Sequence, residues 1–231
     1  PGWSWDDYPY YYSAEKAAFP IYGNMLQILM DTTSHMLEVI PRYFEDHLSI
    51  IQKENEDESR IFRKEFENEF ALTFRDNPSL IDCEIPFIYS NDLFVQLISD
   101  TLDRPVLYSN DFPAGFYQTT MSIPVDSVSK KILIESDNFL AEQMLLNISH
   151  QFGDTLSSKR SIDFIMENYL SELKDEIYWV DGSGLSRYNQ VTPNAMIRVL
   201  EHIYRKIPRE ELFYMLPESG KTGTLQNAFY G

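Results

Sequence analysis

The sequence predicts an α+β fold built as two units, mixed with strands in the N-terminal half and mainly helical in the C-terminal half. Three observations carry this. Apolar runs broken by Pro and Gly fill residues 19–40. From Asn91 onward, apolar residues recur at three- and four-residue spacing. Thr192-Pro193 spells a helix start, with Thr suited to the N-cap and Pro to the first helical position. A chain of 231 residues holds one large domain or two small ones, and the division is expected near residues 76–90.

The elements follow in order. Residues 1–24 are aromatic, with Trp3, Trp5, Tyr8 and Tyr10 to Tyr12 around Asp6-Asp7, and Pro9, Pro20 and Gly23 break any helix. Phe19 to Met30 reads as one or two strands around the turn-like Tyr22-Gly23-Asn24. Met36 to Ile40 is strand-like and ends at Pro41, and Glu54 to Glu58 reads as a solvated loop or hairpin tip. Ile61 to Phe74 alternates charge with Phe and fits either helix or strand. The helical stripes are then Leu93, Phe94, Leu97, Ile98 and Leu102; Leu140, Met144, Leu145 and Ile148; Ile162, Ile165, Tyr169, Leu170 and Leu173; and Met196, Val199, Leu200 and Ile203. Asp126 to Ile134 and Arg209 to Met215 are two further expected helices. Each stripe is expected to face a core.

Composition excludes several classes of function. A net charge of -17 argues against nucleic acid, because phosphate binding needs clustered Lys and Arg. Cys83 is the only cysteine, so neither an internal disulfide nor a cysteine-rich metal site can form. The four histidines are scattered and read as structural or solvated. No apolar run is long enough to span a membrane. The chain opens at Pro1 with no methionine and no leader, and it is expected to be a trimmed piece of a longer protein.

Three short segments carry chemistry. Ser136-Asp137-Asn138 sits between two expected helices. Asp181-Gly182-Ser183-Gly184-Leu185-Ser186-Arg187 is a glycine-rich turn before the Thr192 helix, and Lys221-Thr222-Gly223-Thr224 follows Leu216-Pro217. Read alone, Ser136 is an ordinary helix cap, Asn138 ties two helices together, and the glycine turn places the next helix. Together, Ser-Asp-Asn and Lys-Thr-Gly are two of the three motifs of acyl-transferring serine enzymes of the penicillin-binding kind. With Phe139 to Gln143, Asp181 to Arg187, the Leu216 to Leu225 segment and Gly2-Trp3-Ser4-Trp5-Asp6-Asp7, the sequence resembles the class C low-molecular-mass penicillin-binding proteins, the D-alanyl-D-alanine carboxypeptidase/endopeptidases of the penicillin-binding-protein-4 type.

That resemblance implies part of a β-lactamase/transpeptidase-like fold, a sheet with a helical cluster, interrupted by an inserted mixed domain. Residues 1–24 and 91–231 would belong to the transpeptidase-like part and 25–90 to the insert. It implies acyl transfer without metal or cofactor, outside the cytoplasm (periplasmic or otherwise), on peptidoglycan stem peptides, with β-lactams as ligands of the intact protein. Carboxypeptidase and endopeptidase action are both compatible with it. Ser136 would pass a proton toward the leaving amine and Asn138 would hold the substrate amide. Asp7, Tyr12 and Arg187 would line the pocket for the substrate side chain.

The nucleophile is the exception. Ser-x-x-Lys occurs at Ser13 to Lys16, Ser127 to Lys130 and Ser171 to Lys174, none in the position the chemistry needs. The nucleophile is therefore expected upstream of Pro1, and a non-catalytic module that binds wall peptide is the alternative. Lys221-Thr222-Gly223 is spelled like the substrate-pairing strand motif, yet Pro217 and Gly220 disfavour a strand before it. The segment also fits the family pattern Leu-Pro-x-x-Gly-x-x-Gly-Thr-Leu, in which Lys221 and Thr222 are variable positions. It is expected to be a loop remote from Ser136, with the true motif beyond Gly231.

Overall fold

The computed structural model describes residues 7–53, 59–74, 80–109, 121–153 and 155–228. The segment Gly2 to Asp6 and the stretch Glu54 to Glu58 lie outside the described residues. The chain divides into two compact units, one within residues 4–116 and the other within 117–231.

The first unit is built on strands. In β1 (Met25–Asp31), Leu26, Ile28 and Met30 are buried while the residues between them are half-buried, the period-two pattern of a strand with one face on a core. It pairs antiparallel with β2 (Met36–Ile40) on one side and β6 (Leu80–Pro86) on the other. A second sheet has the order β3 (Leu48–Gln52), β5 (Phe70–Phe74), β4 (Arg60–Arg63), parallel in the first pair and antiparallel in the second. The ambiguous Ile61 to Phe74 segment thus resolves as strands. Leu26, Ile28, Leu72, Ile85 and Phe44 are fully buried together, and each such side chain contributes about 1.5–3 kcal/mol. Helix α1 (Asn91–Leu102) adds Leu93 and Leu97 to the same core, and its Ser90 cap accepts the Leu93 N–H at 3.1 Å.

Two expectations change here. Of the Phe19 to Met30 stretch only Met25 onward is strand; the turn-like Tyr22-Gly23-Asn24 is a 3-10 turn with Gly23 at φ 63°, and the buried Asn24 side chain holds it by accepting from Ile21 N–H and donating to the Glu15 carbonyl. The division expected near residues 76–90 falls inside one unit, because β6 pairs with β1 and α1 shares their core. Local periodicity cannot show a strand pairing that spans some fifty residues of sequence.

The second unit is mainly helical: α2 (Val125–Glu135), α3 (Asn138–His150), α4 (Ser158–Asn168), α5 (Pro193–Lys206) and α6 (Arg209–Met215), with the two-stranded ribbon of β7 (Ile177–Tyr178) and β8 (Gln190–Val191). Leu145, Ile162, Leu173, Ala195 and Met215 are buried. Buried serines tie α3 to α4. Ser161 Oγ donates to the Leu145 carbonyl, and Ser149 Oγ donates to Leu146 O while accepting from Ser157 N–H at 2.9 Å.

The stripes are only partly core. Helix α4 stops at Asn168, and Ser171–Leu173 is a separate 3-10 turn, so Tyr169, Leu170 and Leu173 do not continue its face. On α5, Met196 and Leu200 are 53% and 56% exposed; the helix packs through Ala195 and the half-buried Val199 and Ile203. In α3, polar Glu142 and Gln143 are buried beside Leu145.

Candidate active site

Ser136 ends α2 in the left-handed conformation at φ 57°, its N–H on the Ile132 carbonyl. The Asp137 N–H reaches the same carbonyl at 3.2 Å. Asp137 then caps α3, its Oδ1 accepting the Leu140 N–H at 2.9 Å. Ser-Asp-Asn is therefore a tight corner between two helices: its middle residue does the capping, and the flanking side chains stay available. Ser136 is exposed and Asn138, the first residue of α3, is half-buried.

The glycine turn is held by two buried carboxylates. Asp181, 7% exposed, accepts from Gly184 N–H and Asn189 Nδ2 through Oδ1, both at 2.8 Å, and from Ser186 N–H through Oδ2 at 2.8 Å. Glu142 of α3, 2% exposed, accepts from the N–H groups of Gly182 and Ser183 at 2.9 and 3.2 Å. Such charge-assisted bonds to backbone N–H groups are about twice as strong as neutral ones. Gly182 sits so close that a Cβ there would lie 2.6 Å from the Ala141 carbonyl oxygen. Glu142 lies four residues after Asn138, on the same face of α3. The glycine turn, the second of the three segments singled out in the sequence, thus packs on α3 one turn beyond Asn138. The second presents Arg187 as an exposed residue directly after buried Ser186.

Glu142 and Asp181 organise the site, and reading the sequence assigned neither a role. The available signal was a Glu inside an apolar helical stripe, which needs a partner if it is buried.

The third segment is a loop. Lys221 N–H and Thr222 N–H both turn back to the Glu218 carbonyl, at 3.0 and 2.8 Å, Thr222 Oγ1 accepts from Glu218 N–H, and the Lys221 ammonium pairs with Glu218 at 2.6 Å. Its expected remoteness from Ser136 needs correction. A Cβ on Gly223, at φ 76°, would lie 3.2 Å from the Ile134 carbonyl oxygen and 2.7 Å from Pro217 Cβ, so the loop packs on the end of α2, two residues before Ser136.

In the strand-bearing unit, Tyr12 Oη donates to Asp7 Oδ1 at 3.2 Å. Burial, then the Asp7 carboxylate, pushes the Tyr12 phenol above its usual pKa. The rings of Tyr10 and Tyr12 stack at 5.4 Å. None of the three Ser-x-x-Lys pairs lies at the start of a buried α-helix, where a serine–base couple is needed. Ser13 Oγ donates to the carbonyls of Tyr8 and Tyr10. The Lys130 ammonium lies 3.5 Å over the Tyr214 ring. Ser171 is exposed in its 3-10 turn, beyond the end of α4 rather than within it.

The fold defines a class first. The structure matches the crystal structure of penicillin binding protein 4 (dacB) from Haemophilus influenzae with TM-score 0.69 and 18% identity, over 98% of this chain and 55% of that one. A second structure of the same protein, complexed with a novel beta-lactam, matches with TM-score 0.58 and 18% identity, over 91% of this chain and 54% of that one. The fold is thus an α+β part of the penicillin-binding-protein-4 fold. Residues 116–230 match the D-Ala-D-Ala carboxypeptidase 3 (S13) family. It is 28% identical over 109 residues to the D-alanyl-D-alanine carboxypeptidase DacB of Haemophilus influenzae, covering 46% of this chain and 22% of that one. It is 31% identical over 104 residues to the penicillin-sensitive carboxypeptidase A of Dictyostelium discoideum, covering 42% and 20%. The chain therefore spans about a fifth of the length of these curated relatives. Among the described residues, no helix is long and apolar enough to cross a membrane.

Proposed function

We propose that this chain is part of a serine-type D-Ala-D-Ala carboxypeptidase or endopeptidase that acts on peptidoglycan stem peptides outside the cytoplasm. The observation that carries the reading is the joint between the Ser136-Asp137-Asn138 corner and the Asp181 to Arg187 turn through Glu142. In this reading a serine attacks the D-Ala-D-Ala carbonyl, expels the terminal D-Ala amine and leaves an acyl-enzyme that water or another amine resolves. Ser136 passes the proton toward the leaving nitrogen, and Asn138 holds the peptide amide. Arg187 offers two parallel N–H bonds to a substrate carboxylate. Asp7, with Tyr12 beside it, receives the cationic amine of the peptide side chain. The nucleophile is assigned to a segment outside these 231 residues, since none of the three Ser-x-x-Lys pairs here lies at the start of a buried α-helix.

Labelling of the intact protein with a fluorescent penicillin tests this. Stoichiometric label that weakens at least tenfold in rate with Asn138→Ala is the expected result, because loss of one positioning hydrogen bond costs about that much in acylation. A folded intact protein that takes no label would refute acyl transfer and favour the alternative, a non-catalytic module that binds wall peptide.

A further inference from the structure

We infer that Arg63 is a positioning residue for the Asp7 segment, acting through the ring of Tyr8. The inference rests on the proposed role of Asp7 as receptor for the side-chain amine. Arg63 ends β4, opposite Phe70 of β5, and is 9% exposed. A buried guanidinium is costly unless its charge is met, and hydrogen bonds meet little of it here. Nη1 makes one long bond, 3.4 Å to the Lys64 carbonyl, and Nε is buried without a hydrogen-bond partner among the described residues. Burial holds the guanidinium below its usual pKa, opposed by attraction from the Glu15 carboxylate and from Tyr8.

The remaining stabilisation is the aromatic face. The guanidinium carbon lies 5.2 Å from the centroid of the Tyr8 ring, within the range of a cation–π contact. Glu15 is itself fixed, accepting the Tyr89 N–H at 3.0 Å. Tyr8 is the neighbour of Asp7 in a short knot of turns. Its carbonyl accepts from Ser13 Oγ at 3.0 Å, the Asp7 carbonyl accepts from Tyr10 N–H at 3.0 Å, and the Asp7 carboxylate accepts from Tyr12. Anchoring the Tyr8 ring on the β3-β5-β4 sheet therefore sets where the Asp7 carboxylate stands. A residue of the strand-bearing unit, with no place in any motif, tunes preference for the peptide side chain.

The test is kcat/KM of the intact enzyme on paired peptides, one with a free side-chain amine and one with that amine acetylated. Arg63→Met keeps the aliphatic packing and removes the cation. Preference for the amine peptide is expected to fall about fivefold, the worth of a partly desolvated cation–π contact, with the acetylated peptide changed by less than about twofold. Tyr8→Leu should reproduce the fall, and Arg63→Lys should restore most of it. Equal losses on both peptides would make Arg63 merely structural and overturn the inference, as would an unchanged preference. Asp7→Asn separates the two layers. If it abolishes the preference while Arg63→Met does not touch it, only the Arg63 inference fails. If Asp7→Asn itself leaves the preference intact, the role of Asp7 fails and the inference falls with it.

Discussion

Glu142 and Gly182, forty residues apart, are joined by a 2.9 Å hydrogen bond from the Gly182 N–H to a carboxylate that is 2% exposed. The same oxygen takes the Ser183 N–H, so one side chain of α3 fixes the start of the turn that carries Arg187. Replacing Glu142 with Leu leaves two half-buried backbone donors without their acceptor. The cost should be about 2–5 kcal/mol, the penalty for unpaired buried polar groups. Glu142→Gln, which keeps an acceptor oxygen, should cost less than half of that. Chemical denaturation of the three proteins checks the order, and equal losses for Leu and Gln would show that the hydrogen bonds are not what matters.

Two glycines of that turn should respond differently to alanine. At Gly182 the new Cβ meets a backbone carbonyl at 2.6 Å, which neither partner can evade without moving α3 or the turn. At Gly184 the space is open, but φ is +78°. Gly184→Ala should therefore cost about 1 kcal/mol of backbone strain. Gly182→Ala should cost about 1–3 kcal/mol or more through overpacking. Melting temperatures give the ranking; Gly184→Ala proving the worse would contradict the packing described.

Lys221 should be dispensable for acylation despite its Lys-Thr-Gly setting. Its ammonium is exposed and paired to Glu218 across one turn, an exposed pair worth at most about 1 kcal/mol. In the intact protein, Lys221→Ala should leave the rate of penicillin labelling within about twofold of the parent. A tenfold loss would mean that this lysine works at the site. The placement of Ser13, Ser127 and Ser171, none at the start of a buried α-helix, predicts that the 231-residue chain alone forms no covalent adduct with a β-lactam by mass spectrometry. An adduct on any of them would contradict this.

Cys83 should be inert as a nucleophile in the folded protein. Burial raises its pKa to about 11, with Asp82 and Glu84 adding to the shift. For an acid that is neutral when protonated, a raised pKa means less thiolate at a given pH. At pH 8 the folded protein should therefore alkylate about a hundredfold more slowly than the unfolded chain, whose thiol has a pKa of about 8.5. Iodoacetamide labelling with and without urea measures the ratio, and equal rates would show that the thiol is solvated.

The start of α5 should carry a pH dependence. Thr192 Oγ1 accepts the Ala195 N–H as N-cap and donates to Glu176 Oε2 at 2.6 Å, while Asn194 Nδ2 donates to the same carboxylate. These bonds hold the Glu176 pKa below its usual value, Thr192 first. A depressed carboxylate stabilises the fold fully above its unfolded pKa, and the stabilisation is lost as pH falls through the lower folded value. Melting temperature between pH 6 and 3 should thus fall more for the parent than for Glu176→Gln. Parallel curves would remove Glu176 from the account. Thr192→Val should cost about 1 kcal/mol at neutral pH through the lost cap.

The sequence by itself determined where most helices run and singled out three segments as candidates for the chemistry, because both signals are local. The stripe beginning at Leu93, the Thr192-Pro193 start and the Ser136 break between α2 and α3 are each legible within a few residues. Pro217 and Gly220 likewise announce a loop around Lys221. Tertiary structure alone decided which segments meet. The β1–β6 pairing moved the division of the chain from residues 76–90 to near 116, since strand partners are chosen by register and burial across long separations. Burial of Glu142 and Asp181 made two carboxylates without an assigned role into the frame of the candidate site, because a carboxylate's role depends on which backbone N–H groups the fold brings to it. The exposed Met196 and Leu200 show the converse. A helical period says that a face is apolar, and only packing says whether anything covers it.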